Sequence, residues 1–153
     1  LNLESVETFS KDANLVKLYF PSQTGRLLVP VTRAVFSNAD VSTALLELAK
    51  GPRSDSGLER ALPEDCGIKS VVMKDGVVTV NFSKEFKQAM EETDGGKQAV
   101  RAILFTCSQF PGVKKVEVLV DGEKPALPED TRSTFINDEQ EVIAQYPGVV
   151  ELD

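Results

Sequence analysis

Apolar and polar positions along the chain change period several times, and each change marks an element. In "VKLYFP" the apolar Val16, Leu18 and Phe20 alternate with Lys17 and Tyr19, the period of a half-buried strand that Pro21 closes. "SQTG" reads as a turn. "RLLVPVTRAVF" is a second extended run, in which Pro30 predicts an edge position or a bulge because it has no N–H for a ladder. The period then lengthens in "SNADVSTALLELAKG", where Val41, Ala44, Leu45 and Leu48 form one helical stripe. Ser37 with Asp40 fits a capping box, or Asp40 alone is the cap, and Gly51-Pro52 ends the helix. Residues 52–67 read as a long loop.

In "IKSVVMKDGVVTVNF" two β-branched runs flank Asp75-Gly76, the signature of a two-residue type I′ hairpin, whose turn positions both need positive φ. Val78, Val80 and Phe82 fall on one face and Val77, Thr79 and Asn81 on the other. Ser83 is placed to cap a short helix in "KEFKQAM", and "ETDGG" breaks it. "KQAVRAILFTCSQF" predicts the longest helix, with Ala99, Val100, Ile103, Leu104, Cys107 and Phe110 on a broad apolar face. Pro111-Gly112 stops it, and "VKKVEVLVDG" adds a strand with Val116, Val118 and Val120 on one side. The order ββαββααβ predicts an α+β domain: a single mixed or antiparallel sheet with helices packed on one face. Strand order in space does not follow from the pattern. "ALPED" recurs at 61–65 and 126–130, and "PGV" at 111–113 and 147–149. The two offsets disagree, which speaks for reused turn chemistry and not for a duplicated unit.

Composition narrows the chemistry. A chain of 153 residues, 41% hydrophobic and 27% charged, suits one domain with its own core. No apolar run approaches the ~18 residues of a membrane span. The net charge of −7 is carried entirely after residue 120: from Asp121 onward nine acids face Lys124 and Arg132. A neutral body with an acidic end lacks the basic face that nucleic acid requires, so nucleic acid is not an expected partner. The organisation expected is a lead-in over 1–14, a domain over 15–123 and an acidic extension over 124–153.

There is no histidine, which removes the usual Ser-His and Cys-His nucleophile pairs and imidazole metal ligands. Cys66 and Cys107 are too few for a zinc site. They are either two buried apolar side chains or, outside the cytoplasm, one disulfide. "GPRSDSG" has glycines after a helix, Pro52 in place of a donor and no closing Lys-Ser or Lys-Thr, so it reads as helix termination and not as a phosphate loop. "DGGKQA", with Lys97, is a better anion candidate because free N–H groups open a helix, but Asp94 or the glycines serve equally as a cap. Glu59, Glu64 and Asp65 read as a solvated loop and not as paired glycosidase carboxylates, in a chain with no Trp and two Tyr. Arg53, Arg60, Lys114 and Lys115 are the contact points expected if the domain docks an acidic partner. No catalytic residue, cofactor or metal is expected.

Taken in order, "VKLYFP", "ALLELAKGP", "LPEDCGIKSVVMKDGVVTVNFS" and "AILFTCSQFPGVKKVEVLVDGE" resemble the GerMN domain family over residues 16–123. The resemblance implies an extracytoplasmic, membrane-anchored module of the bacterial envelope that serves sporulation or spore germination without established catalytic residues. Its partners would be other envelope or sporulation-complex proteins. Peptidoglycan is the alternative, and the membrane is reached only through an anchor not present in this chain. The chain opens on Leu1 and not on methionine, as expected of a mature or trimmed form. An extracytoplasmic location raises the expectation of a Cys66–Cys107 bridge, although Cys107 on an apolar helix face disfavours a partner in a loop.

Overall fold

The computed structural model describes residues 14–24, 27–36, 38–91 and 95–125. The expected lead-in and most of the acidic extension therefore lie outside the described residues. The first two strands, β1 (Asn14–Pro21) and β2 (Leu28–Val35), pair antiparallel with Leu18 opposite Val31 and Phe20 opposite Val29. Val16, Leu18 and Phe20 are buried as the alternation predicts. These strands make a two-stranded sheet of their own, so Pro30 does lie on an edge strand.

Helix α1 (Val41–Lys50) starts at Asp40, whose Oδ1 accepts from the Thr43 N–H at 2.9 Å. Asp40 is thus itself the cap, and Ser37 lies outside the described residues. Its buried stripe is Val41, Ala44, Leu45 and Leu48. At the C-terminus Gly51 adopts φ +89° and returns its N–H to the Leu48 carbonyl, a conformation that disfavours any residue with a Cβ.

The second sheet has the order β3 (Ile68–Lys74), β4 (Val77–Phe82), β5 (Lys115–Val120), with β3–β4 antiparallel and β4–β5 parallel. Asp75 (φ 53°) and Gly76 (φ 81°) form the expected hairpin turn. The element order is the one read from the pattern, but the single sheet is corrected to two. The reason lies at the edges of the first sheet. The Gln109 side-chain amide accepts from the Lys17 N–H (2.8 Å) and donates to the Lys17 carbonyl (2.6 Å), taking the place of a strand neighbour. The Glu59 N–H caps the Pro21 carbonyl at 2.9 Å, and Pro30 weakens β2 as a template. Among the described residues no third strand joins there.

Helix α2 (Phe86–Glu91) is short, and Phe86 stacks on Phe82 at 4.7 Å. The Ser83 carbonyl accepts from the Phe86 N–H, but its hydroxyl accepts from the Gly67 N–H at 2.9 Å. Ser83 therefore ties the start of β3 to the end of β4, where a helix cap was expected. Helix α3 (Gly95–Ser108) packs against β1, α1 and α2. It is buried on nearly every side from Ala102 to Ser108, a wider burial than the apolar face predicted. Ala102, Phe105 and Thr106 join that face in the core, and Tyr19 meets Phe105 edge-on at 5.3 Å.

A basic corner as candidate docking site

Sheet β3–β4–β5 has unlike faces. Val78, Val80 and Phe82 with Val116, Val118 and Val120 are buried on the core side, whereas β3 lies mostly in solvent. The register places Lys74, Val77 and Lys115 in one row across the open face, with Val72, Thr79 and Glu117 in the next. Gly76 fixes that corner, because its carbonyl accepts from the N–H groups of both Lys114 (2.7 Å) and Lys115 (3.0 Å). A Cβ at Gly76 would stand 3.0 Å from the Lys114 stem and from the Gly112 carbonyl, so the turn requires its glycine for space as well as for φ. Val72 (55% exposed) brings apolar surface to the open face one row from Lys74 and Lys115, whereas Met73 pairs with Val78 and lies at the rim of the opposite, core-side face.

The opposite end of the sheet also carries lysines, but these surround a carboxylate. Lys69 Nζ lies 2.6 Å from Asp121 Oδ1. That hydrogen bond holds the Asp121 carboxyl below its usual range, with the charges of Lys69, Lys87 and Lys84 acting in the same direction. The hairpin corner gathers Lys74, Lys114 and Lys115 beside the turn residue Asp75, with Glu117 one row further along the open face.

Of the contact points expected from sequence, Lys114 and Lys115 come together here and the arginines do not. Arg53 pairs with Asp55 at 3.3 Å in a turn whose Ser56 hydroxyl donates to the Arg53 carbonyl. Arg60 is structural. Its guanidinium donates to the carbonyls of Ala49, Lys50 and Leu62, while Arg33 donates to those of Glu47 and Gly51. Two arginines thus satisfy the orphan carbonyls at the end of α1. Lys74 was missed, although its place beside the Asp-Gly turn makes it the cross-strand partner of Val77 and hence a neighbour of Lys115.

Cys66 and Cys107 are both free and buried, so the expected bridge is not formed. Cys107 sits in the core on α3, and burial pushes its thiol up to about 12. Burial likewise raises Cys66 to about 11, against the lowering effect of the Ser83 hydrogen bond. Glu59, Glu64 and Asp65 are exposed, and no group of three or more potential metal ligands gathers among the described residues. Asp94 lies outside the described residues, as does the side chain of Lys97.

These features define a small α+β domain built round one buried helix, with its accessible chemistry on a basic, partly apolar sheet corner. A family model described as sporulation and spore germination matches residues 17–126, and the chain belongs to that family. The spore germination protein GerM of Bacillus subtilis strain 168 is 36% identical to it over 106 residues, 66% of this chain and 29% of the relative. The structure of the tandem GerMN domains of GerM, the Bacillus subtilis sporulation protein, aligns with a TM-score of 0.73 at 27% identity, covering 90% of this chain and 49% of that one. The first GerMN domain alone shares the fold, with a TM-score of 0.59, 24% identity and coverage of 82% and 96%. The chain therefore spans less than a third of the curated relative and about half of the tandem structure.

Proposed function

We propose that this domain is a non-enzymatic protein-interaction module that works outside the cytoplasm, in a membrane-anchored envelope complex of sporulation or spore germination. Family membership and the likeness to GerM support the process. The observation that carries the docking role is the row Lys74–Val77–Lys115 on an open sheet face, with Val72 exposed in the next row and Lys114 adjoining in the chain. Cations next to exposed apolar side chains suit a partner that presents carboxylates around a small apolar patch, the charges steering the encounter and the apolar contact holding it.

The test places a photo-crosslinking residue at Lys115 and, as a control, at Arg53, in cells that make the full-length protein. The expected result is a discrete protein adduct from position 115 that is absent from position 53 and reduced about tenfold by Lys74→Glu with Lys114→Glu, in keeping with the loss of a steered contact. Saturable retention of the purified chain on insoluble peptidoglycan, abolished by the same substitutions, would overturn the protein-docking reading in favour of a glycan ligand.

A further inference from the structure

Strand β3 ends its sheet in the order β3, β4, β5, and among the described residues no strand lies on its far side. Ser70, Val72, Met73 and Lys74 are exposed there and Val71 is half-buried. Lys74 and Val77 close the two-residue hairpin, so the ladder to β4 uses the backbone groups of Lys74, Val72 and Ser70. Alternation then turns the N–H and C=O groups of Val71 and Met73 away from the sheet. Such an edge is a template for another strand.

Two features limit the length of that template. Lys69 is the extra residue of a bulge, since Ile68 faces Phe82 and Ser70 faces Asn81, and a bulge bends the strand and ends its regular pairing. At the other end Asp75 enters the turn at φ 53°. Between them run the five residues 70–74, with Val72 at the centre.

A second copy of the same segment fits this edge in one register. With the strands antiparallel about a two-fold axis at Val72, Ser70 faces Lys74 of the second copy, Val71 faces its Met73, and the two Val72 side chains meet. Every position of the segment is then paired, and the outward groups of Val71 and Met73 oppose each other. A shift of one residue sets outward groups against groups already bonded to β4, and a shift of two leaves both ends of the segment without a partner. Charge favours the same register. Just beyond each end Lys69 comes level with Asp75 of the second copy. The two Lys74 stand four positions apart along the joined strands, about 13 Å, which exceeds the screening length of about 8 Å.

We infer that two copies of this domain pair edge to edge through β3, antiparallel and centred on Val72, to make one sheet of six strands, three from each copy. Opposed residues of such a pair share a face, so both open faces, each with its row Lys74, Val77 and Lys115, lie on one side. An acidic partner then meets two basic rows at once. That use rests on the function proposed above, whereas the pairing does not. A five-residue edge buries far less than the roughly 1,200 Å² of a stable interface, so the Kd is on the order of 0.1–1 mM, a concentration that anchoring to one surface supplies.

Sedimentation velocity and amide exchange of the whole chain, from about 10 µM to about 1 mM, bracket this Kd. The parent is expected to move from monomer toward dimer. Its Val71 and Met73 amides should be at least about threefold better protected at the top of the range, with the Val80 amide of the central strand unmoved. Val72→Lys sets two cations on the axis and should stay monomeric throughout while keeping the parent's circular dichroism. Val72→Cys should close an interchain disulfide in air, because a non-hydrogen-bonded pair holds its Cα atoms about 4.5 Å apart. Ser70→Cys should not, its two copies lying about 13 Å apart. Cys66 and Cys107 are buried and do not compete. A parent that stays monomeric at the highest concentration, association that Val72→Lys leaves intact, or equal bridging by the two cysteine variants would overturn the inference. So would protection of Val71 and Met73 that is the same at every concentration, which would assign the edge to a segment of the same chain. A failed crosslink from position 115 would sink the docking function and leave these readouts as they are.

Discussion

The two sheets do opposite work. The β1–β2 pair is enclosed: helices α1 and α3 both pack on β1, Tyr19 meets Phe105 on one side and Arg33 lies over the Phe20 ring at 5.8 Å on the other. The free edge of β1 is answered by the Gln109 amide and the Glu59 N–H. The β3–β4–β5 sheet buries one face and leaves the other, with all of its lysine rows, in contact with water. The difference teaches where to look for function in a domain without an evident catalytic set: an element that the core already uses on both faces has little left to offer a partner.

The sharpest way to break this comparison is to truncate one residue in each sheet. Leu18→Ala removes a fully buried side chain from the enclosed pair and is expected to cost about 2–5 kcal/mol in urea unfolding, the transfer term plus the cavity left behind. Val72→Ala on the open face should change stability by no more than about 0.5 kcal/mol. Comparable losses at the two positions would mean that the open face is covered in solution and would contradict the contrast.

Gln109→Ala tests the edge closure at a smaller scale. It removes both hydrogen bonds to Lys17 and a third to the Thr106 carbonyl at 2.7 Å, partly in reach of water, so a loss of about 1–2 kcal/mol is expected. The informative readout is local. The Lys17 amide should lose exchange protection while the Val31 amide in the facing strand keeps its own, and an unchanged Lys17 amide would show that something other than Gln109 closes that edge.

How much of this was legible in the sequence follows from the range of each interaction. The α1 stripe, the Asp75-Gly76 turn and the valines of β4 and β5 were readable because helix and strand periods and turn dihedrals are set by neighbours in the chain. Partition into two sheets was not, because it depends on Gln109 reaching Lys17 across 92 positions. Arg60 illustrates the same limit. Its residue type suggested a surface contact, but the carbonyls it serves belong to a helix end that only the folded loop brings near. Ser83 fails as a cap for a like reason, since a hydroxyl chooses between two N–H groups and the tertiary one, Gly67, wins. In the basic corner Lys114 and Lys115 were readable as a charged pair, and Lys74 would have been found by carrying the hairpin register one step across the sheet.

The smallest effect concerns the end of the open sheet where lysine charge is balanced. Asp121 is exposed, and its hydrogen bond to Lys69 lowers its carboxyl from the ordinary value. A carboxylate with a lowered pKa in the folded chain contributes stability that is fully present above the unfolded value of roughly 3.9. It is lost as pH falls through the lower folded value. Asp121→Asn keeps the turn, because asparagine tolerates the positive φ at this position, but it removes the charge. The parent should therefore be slightly the more stable in urea at pH 7, the gap closing below about pH 4 and shrinking in high salt, as an exposed pair must. A gap that persists unchanged at low pH would instead assign the role of Asp121 to turn geometry, and the two ends of the open sheet would then differ in shape and not in charge balance.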